Sequence, residues 1–284
     1  MATDLSPRCD RALDRAVALA DDWAARLVIV HVLEDVLERD RDPKVVSWRQ
    51  PPDPVSLAAR RLYENVGPVI QKAEVVIAEG DPAEVIARMA AERECDCIVT
   101  GTARDEILGR FFLGTTVDRL LRKASQPVLI VRSRPRGPYK QIGVALSFDV
   151  PSRHALETAL RLFPRALLTG FHAYEASVSG LLANSDQFLR ERRETVTEDY
   201  RAFLRTVTYP GPLDERVRAF IELGTPAELM RQGVRDLGIE LVVTGTRGRS
   251  AFIEALIGSV AREIRAEVPC DVLVVRDPPR GGDD

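Results

Sequence analysis

Along the second half of the chain, short apolar runs alternate with longer amphipathic stretches. This is the pattern of β/α units whose parallel strands are covered on both faces. The apolar runs predict strands near 141–146, 166–172, 215–221, 240–245 and 272–275, and the amphipathic stretches predict helices near 152–163, 185–206, 226–237 and 259–266. The first half reads the same way, with strands near 27–32, 74–78, 97–101 and 128–131 and helices near 10–25, 54–66, 82–94 and 115–123. It lacks most of one strand. Lys140-Gln-Ile-Gly-Val-Ala-Leu-Ser147 leads into the second half's first helix, whereas the first half offers only Met1-Ala-Thr-Asp4 at that place. A first strand that leads into a helix sits centrally in such a sheet, so its loss leaves neighbouring backbone unpaired and part of the core open. This predicts a start upstream of Met1 or a trimmed amino terminus, and an intact mass of natively expressed protein that matches Met1 rejects an upstream extension.

The two halves are copies. Ile98-Val-Thr-Gly-Thr102 is echoed by Val242-Val-Thr-Gly-Thr246, Val128-Leu-Ile-Val-Arg132 by Val272-Leu-Val-Val-Arg276, Gly80-Asp-Pro-Ala-Glu84 by Gly224-Thr-Pro-Ala-Glu228, and Gly114-Thr115 by Gly258-Ser259, all 144 residues apart. Nearer each start the offset falls to 143 for Ala12-Leu13 and Ala155-Leu156, and to 141 for His31 and His172. A period this long is a duplicated domain rather than a solenoid repeat. The Pro- and Gly-bearing stretch 133–139 separates a first domain, 1–132, from a second, 140–277, and 278–284 is a tail expected to be disordered. Segments 34–54 and 174–186 follow the second strand of each copy as excursions placed to cover a site at the sheet's C-terminal edge.

A length of 284 residues agrees with two domains at about 150 residues each. Hydrophobic and charged shares of 45% and 29% exclude a disordered chain and a coiled-coil rod. The balance of 40 basic against 43 acidic residues leaves no global field for nucleic acid or anionic lipid. No apolar run approaches the roughly 18 residues of a membrane span, and Met1-Ala2-Thr3-Asp4 is no signal peptide, so the expected location is the cytoplasm. Four cysteines are too few for a disulfide scaffold, and Cys95 and Cys97 alternate at a strand entry as packing residues do. Three histidines without ligand spacing predict no metal site of the protein's own.

The most informative segment is Gly245-Thr-Arg-Gly248-Arg-Ser-Ala-Phe-Ile-Glu-Ala-Leu-Ile-Gly258-Ser259, a G-x2-G-x9-G-S pattern between a strand and a helix. Glycines let backbone approach a ligand closely, and a helix opening at Gly258-Ser259 offers free N–H groups and a dipole to phosphate. The plainer reading is a turn followed by an N-cap. Asp4 likewise reads either as a ligand-contacting carboxylate or as a residue placed by a helix dipole, and Asp149 precedes Pro151 and a helix in the same way. His31 and His172 follow apolar strand residues with no acid-base partner and read as structural; Pro82 and Pro226 fit first helical turns.

With Ala2-Thr-Asp-Leu-Ser6, His31-Val32-Leu-Glu34, Gly80-Asp-Pro82, Gly224-Thr-Pro226 and the two Val/Leu/Ile-rich terminal strands, this motif makes the chain resemble the universal stress protein family, as two tandem domains over nearly its whole length. The resemblance implies an α/β fold of two tandem Rossmann-like, adenine nucleotide alpha hydrolase-like domains. Each would be a five-stranded parallel sheet of order 3-2-1-4-5 with helices on both faces and its ligand between strands 1 and 4. In nucleotide-binding members an Asp after strand 1 contacts the nucleoside, a residue after strand 2 contacts adenine through its backbone, and the glycine motif holds phosphates. For the second domain this implies Ser147, Ala173, Gly245, Gly248, Gly258, Ser259 and Val260; for the first, Asp4, Val32, Gly101, Gly114 and Thr115. The copies divide the features. The first reads Gly101-Thr-Ala-Arg104, so an arginine replaces the second glycine, its bulk obstructing phosphate space, the favoured reading, or its charge binding phosphate; the second has Ser147 in place of Asp. Arg247 and Arg249 flank the second motif as phosphate neighbours or as solvated residues.

The second domain is therefore the expected site for ATP or another adenine nucleotide, with any Mg bound through its phosphates. The chain contains no P-loop, nucleophile elbow or H-E-x-x-H motif, which favours a nucleotide-sensing regulatory stress protein over an efficient enzyme. Two other functions stand beside it: a nucleotide-free scaffold acting through protein partners, and a slow ATPase or self-phosphorylating enzyme. The resemblance also implies that the terminal strands, 128–131 and 272–275, pair the domains as an internal pseudo-dimer, with further homodimerisation open.

Overall fold

The computed structural model describes residues 1–6, 9–33, 54–67, 73–102, 106–107, 110–111, 115–174, 185–246 and 268–277. In chain order the first copy supplies β1 (Ala2–Thr3), α1 (Asp10–Trp23), β2 (Leu27–Leu33), α2 (Pro54–Val66), β3 (Ala73–Glu79), α3 (Pro82–Glu92), β4 (Ile98–Gly101), β5 (Glu106–Ile107), β6 (Arg110–Phe111), α4 (Thr115–Lys123) and β7 (Val128–Val131). The second supplies β8 (Gln141–Ala145), α5 (Val150–Leu162), β9 (Leu167–Tyr174), α6 (Ser185–Leu204), β10 (Val217–Leu223), α7 (Pro226–Asp236), β11 (Leu241–Thr246) and β12 (Asp271–Arg276). Packing divides the chain into two compact units, Met1–Arg104 with Leu113–Pro138, and Asp105–Phe112 with Tyr139–Asp284. The short β5–β6 antiparallel ladder is not foreseen by the periodicity. The predicted helix 259–266 and the excursion and tail segments lie outside the described residues, except for a few residues at their edges.

In the second unit the strands are parallel and hydrogen-bonded in the order β10-β9-β8-β11-β12, which counted within the copy is 3-2-1-4-5. Ile142, Val144, Leu241, Val242, Val243, Val272 and Leu273 are fully buried, which is why these strands read as continuous apolar runs rather than alternating ones. On one face Phe171, Ala227, Met230, Ile239 and Val242 form a cluster under α7. Asp271, also fully buried, accepts a hydrogen bond from the Tyr139 hydroxyl at 2.5 Å.

The same helix-start device recurs in both copies. Asp81 accepts from the Glu84 N–H at 3.0 Å with Pro82 in the first turn of α3, and Thr225 accepts from the Glu228 N–H at 3.4 Å with Pro226 in the first turn of α7. The glycines that precede these caps, Gly80 at φ 128° and Gly224 at φ 142°, occupy backbone that side chains rarely adopt, which accounts for the repeated G-x-P-A-E signature.

The first unit departs from one five-stranded sheet. Its strands form two parallel ladders, β1-β2-β3 and β4-β7, and among the described residues β1 is not joined to β4. The reason lies in register. In the second copy β8 meets β11 at three pairs, Leu241↔Ile142, Val242↔Gly143 and Val243↔Val144. With Met1 corresponding to Val144, two of those three pairs fall on positions before Met1. The observed pairs Ala2↔Val30 and Thr3↔His31 continue the same correspondence, matching Ala145↔Phe171 in the second copy. The Met1 ammonium instead donates to the Val28 carbonyl at 2.7 Å, inside the sheet.

Burial pushes this ammonium down from the ordinary 8.0 to about 6. Between those values the unfolded chain holds a proton that the folded chain has released, so unfolding free energy should rise with pH over that window, by on the order of 2 kcal/mol. Urea titrations at pH 6 and pH 8 measure the rise, and the N-acetylated chain should lose this part of it.

Candidate functional site

In the second unit the C-terminal ends of the parallel strands lie at the point where the strand order reverses. There β8 is the strand at which the order reverses, with β9 on one side and β11 on the other. The β8–β11 ladder stops at Val243↔Val144. Beyond it each strand stays bonded to its outer neighbour: the Leu146 N–H donates to the Phe171 carbonyl at 2.9 Å, and β11 pairs with β12 as far as Thr246↔Arg276. The ladder between the two strands thus ends before Ala145-Leu146-Ser147 on one side and Thr244-Gly245-Thr246 on the other. A topological switch point of this kind is where open α/β sheets take ligands.

Ser147 stands exposed at this mouth. Phe148 follows at φ 58°, a left-handed backbone uncommon for a bulky residue. Asp149 then caps α5: it accepts from the Ser152 N–H at 2.9 Å while the Ser152 hydroxyl accepts from the Asp149 N–H at 3.2 Å. The helix-start reading of Asp149 thus holds. Ala173, near the end of β9, is half-buried against the α7-side cluster and pairs with Glu222. His172, its neighbour, hydrogen-bonds through Nδ1 to the Leu146 carbonyl at 2.8 Å. Because a carbonyl only accepts, Nδ1 carries the proton, and the ring clamps strand 2 to the end of strand 1. Burial pushes the His172 pKa down, partly offset by this bond.

Gly245 serves packing. A Cβ built on it would lie 2.5 Å from the Pro151 carbonyl oxygen and 2.8 Å from its carbon, so α5 can start against the end of β11 only because this residue has no side chain. Gly245→Ala should destabilise the ligand-free protein by about 1–3 kcal/mol, since backbone must move to admit the methyl group. Urea unfolding without nucleotide measures it, and an unchanged midpoint would contradict the packing role. The remaining motif residues, Gly248, Gly258, Ser259 and Val260, and the flanking Arg247 and Arg249, lie outside the described residues.

The first copy repeats the ends of strands 1 and 2 with variations. His31, buried, makes the same bond as His172, from Nδ1 to the Thr3 carbonyl at 2.9 Å. Leu5, at φ 60°, matches Phe148. Asp4 is no helix cap, because α1 begins only at Asp10. Its Oδ1 instead accepts from the Ser6 N–H at 2.8 Å and the Cys9 thiol at 3.1 Å, closing a turn after β1. Burial pushes this carboxyl up, but the hydrogen bonds from Ser6 and Cys9 outweigh it and hold it below its ordinary value. Val32 is half-buried in β2, Gly101 is buried at the end of β4 and Thr115 is exposed at the start of α4. Gly114 and Arg104 lie outside the described residues.

Sequence reasoning missed an aromatic cluster beside Ser147. The Phe148 ring stacks on His172 with centroids 4.0 Å apart and 15° between planes, and it also meets Tyr200 at 6.0 Å and Phe203 at 5.5 Å from α6. Burial pushes the Tyr200 hydroxyl up to about 12. The only signal in the chain was the placement of Phe148 directly after Ser147. Among the described residues no group of three or more His, Cys, Asp or Glu side chains could hold a metal, and no helix is long and apolar enough to cross a membrane.

Comparison with known proteins covers both units. The model of the universal stress protein family matches residues 1–132 and again 138–276. A universal stress protein of Mycolicibacterium smegmatis is 26% identical over 278 residues, covering 89% of this chain and 91% of the relative. Universal stress protein E of Salmonella typhi is 24% identical over 212 residues, covering 71% of this chain and 67% of its own. Among solved structures, a universal stress protein from Archaeoglobus fulgidus superposes with a TM-score of 0.64 at 18% identity, covering 97% of this chain and 96% of that one. An α/β fold in both halves and a family match to each half converge: the chain belongs to the universal stress protein family, as a tandem two-domain member.

Proposed function

We infer that this stress-response family member is a regulatory protein that binds an adenine nucleotide, ATP being the first choice, in the crevice of its second unit. The observation that carries the reading is the early end of the β8–β11 ladder at Val243↔Val144 while both strands remain paired on their outer sides. This leaves an opening at the switch point, with the exposed Ser147 hydroxyl on one lip and the G-x2-G-x9-G-S segment leaving from the other. A ribose hydroxyl suits Ser147 as donor or acceptor, Ala173 offers backbone to a base, and the segment from Gly248 to Val260 supplies glycines and a Gly-Ser helix start to phosphates. Any Mg would enter on the nucleotide's phosphates and supply charge neutralisation there. In the first unit Arg104 replaces the matching glycine, and the Asp4 carboxylate already closes its own turn, which makes that pocket the weaker one.

Isothermal calorimetry of the purified chain against ATP tests this. One saturable site per chain, retained in Arg104→Ala and lost in Gly248→Arg, is the expected result. No saturable heat would favour a scaffold acting through protein partners, and metal-dependent turnover lost in Gly248→Arg would favour a slow ATPase.

A further inference from the structure

In the second unit one side chain holds the residues on both sides of Ser147. His172, from β9, donates through Nδ1 to the Leu146 carbonyl at 2.8 Å, and its ring lies against the Phe148 ring with centroids 4.0 Å apart and 15° between planes. Leu146 precedes Ser147 and Phe148 follows it. Buried Tyr200 and Phe203 from α6 close in on Phe148 as well, with ring centroids at 6.0 and 5.5 Å. Phe148 takes φ 58°, a conformation that a bulky residue keeps only where its surroundings impose it. Ser147 itself is exposed, and its hydroxyl makes no hydrogen bond among the described residues.

The first unit holds the matching residue in another way. His31 makes the corresponding bond to the Thr3 carbonyl at 2.9 Å, but Leu5, at φ 60°, stands where Phe148 does and offers no ring. There the Asp4 carboxylate is itself tied to the Ser6 N–H and the Cys9 thiol. The first copy fixes its residue by engaging the side chain, whereas the second fixes the two neighbours and leaves the side chain free.

We propose that His172 and Phe148 are positioning residues of the nucleotide site, which together hold Ser147 in place before a ligand arrives, with its hydroxyl free to bond a ribose hydroxyl. The proposal rests on the reading that Ser147 meets the nucleoside. A group held in advance adds to affinity because binding then removes less conformational freedom. The hydrogen bond fixes the backbone before Ser147 and the stacked pair fixes it after, and such a pair contributes beyond the area it buries.

Amide ¹⁵N relaxation on the full chain without nucleotide reads the holding directly. Ser147 and Phe148 are expected near the rigid-backbone order parameter of about 0.85. Phe148→Leu, which writes the first copy's Leu5 into the second and so suits the same backbone, should move both toward the flexible range below about 0.6. His172→Asn, which keeps a donor for the Leu146 carbonyl but loses the stack, should do the same, and Phe148→Tyr, which keeps the ring, should match the wild-type chain. Calorimetry against ATP reads the consequence: binding about fivefold weaker in Phe148→Leu and unchanged in Phe148→Tyr. Flexible Ser147 in the wild-type chain, unchanged rigidity in Phe148→Leu and His172→Asn, or unchanged ATP affinity in Phe148→Leu would each overturn the proposal and leave nucleotide binding standing. A wild-type chain that binds no ATP, with Ser147 rigid and loosened in Phe148→Leu, would overturn the nucleotide reading and with it the role given to the two residues.

Discussion

A chain prefixed with Lys-Gln-Ile-Gly, the four residues that precede Val144 in β8, should melt roughly 5 °C higher than the chain beginning at Met1, from a gain of about 2 kcal/mol. Three effects act together. The Met1 nitrogen becomes an amide, which removes an ammonium that burial has pushed down to about 6. The added isoleucine takes the place that Ile142, fully buried, holds in the second copy, a burial typically worth about 1.5–3 kcal/mol. New ladder bonds form to β2 and β4, of about 0.5–1.5 kcal/mol each. Ordering four residues costs about 1–2 kcal/mol apiece and offsets much of this. A prefix of Lys-Gln-Asp-Gly puts a carboxylate in the apolar position and should give no gain. Equal melting temperatures for the three chains would show that the position beside Met1 is not an open strand site.

Gly248→Arg, which writes the first copy's Arg104 into the second, should abolish the stabilisation that ATP confers, about 2.7 kcal/mol at 100 times Kd. Glycine permits backbone to approach a phosphate closely, and an arginine there brings bulk. The reciprocal change, Arg104→Gly, restores the G-x2-G-x9-G-T pattern of the first copy and should add a second, weaker site, because Asp4 remains engaged with Ser6 and Cys9. Thermal unfolding with and without ATP reads both variants. Retained ATP stabilisation in Gly248→Arg would place the nucleotide elsewhere.

Much of the second unit was legible because its central strands are buried on both faces, so apolar runs such as Leu241-Val-Val243 stand out between amphipathic helices. The helix starts at Pro82 and Pro226 were legible from local chemistry alone, since cap, proline and preceding glycine lie within five residues. That β1 and β4 form separate ladders among the described residues was not legible, because it depends on which residues pair. Register is a property of two distant segments and leaves no mark in either alone. The same holds for the site. Ser147 and Gly245 were found from spacing, but the reason Gly245 has no side chain is the Pro151 backbone, and the Phe148–His172 stack joins residues that only the fold brings together.

Nucleotide binding by the second unit is tested most directly by denaturing freshly purified protein in acid and identifying released small molecules by chromatography with mass spectrometry, counted per chain. About one adenine nucleotide per chain, absent from Gly248→Arg, is the expected result. No nucleotide released from the wild-type chain, followed by no saturable ATP binding, would contradict a nucleotide site in this protein.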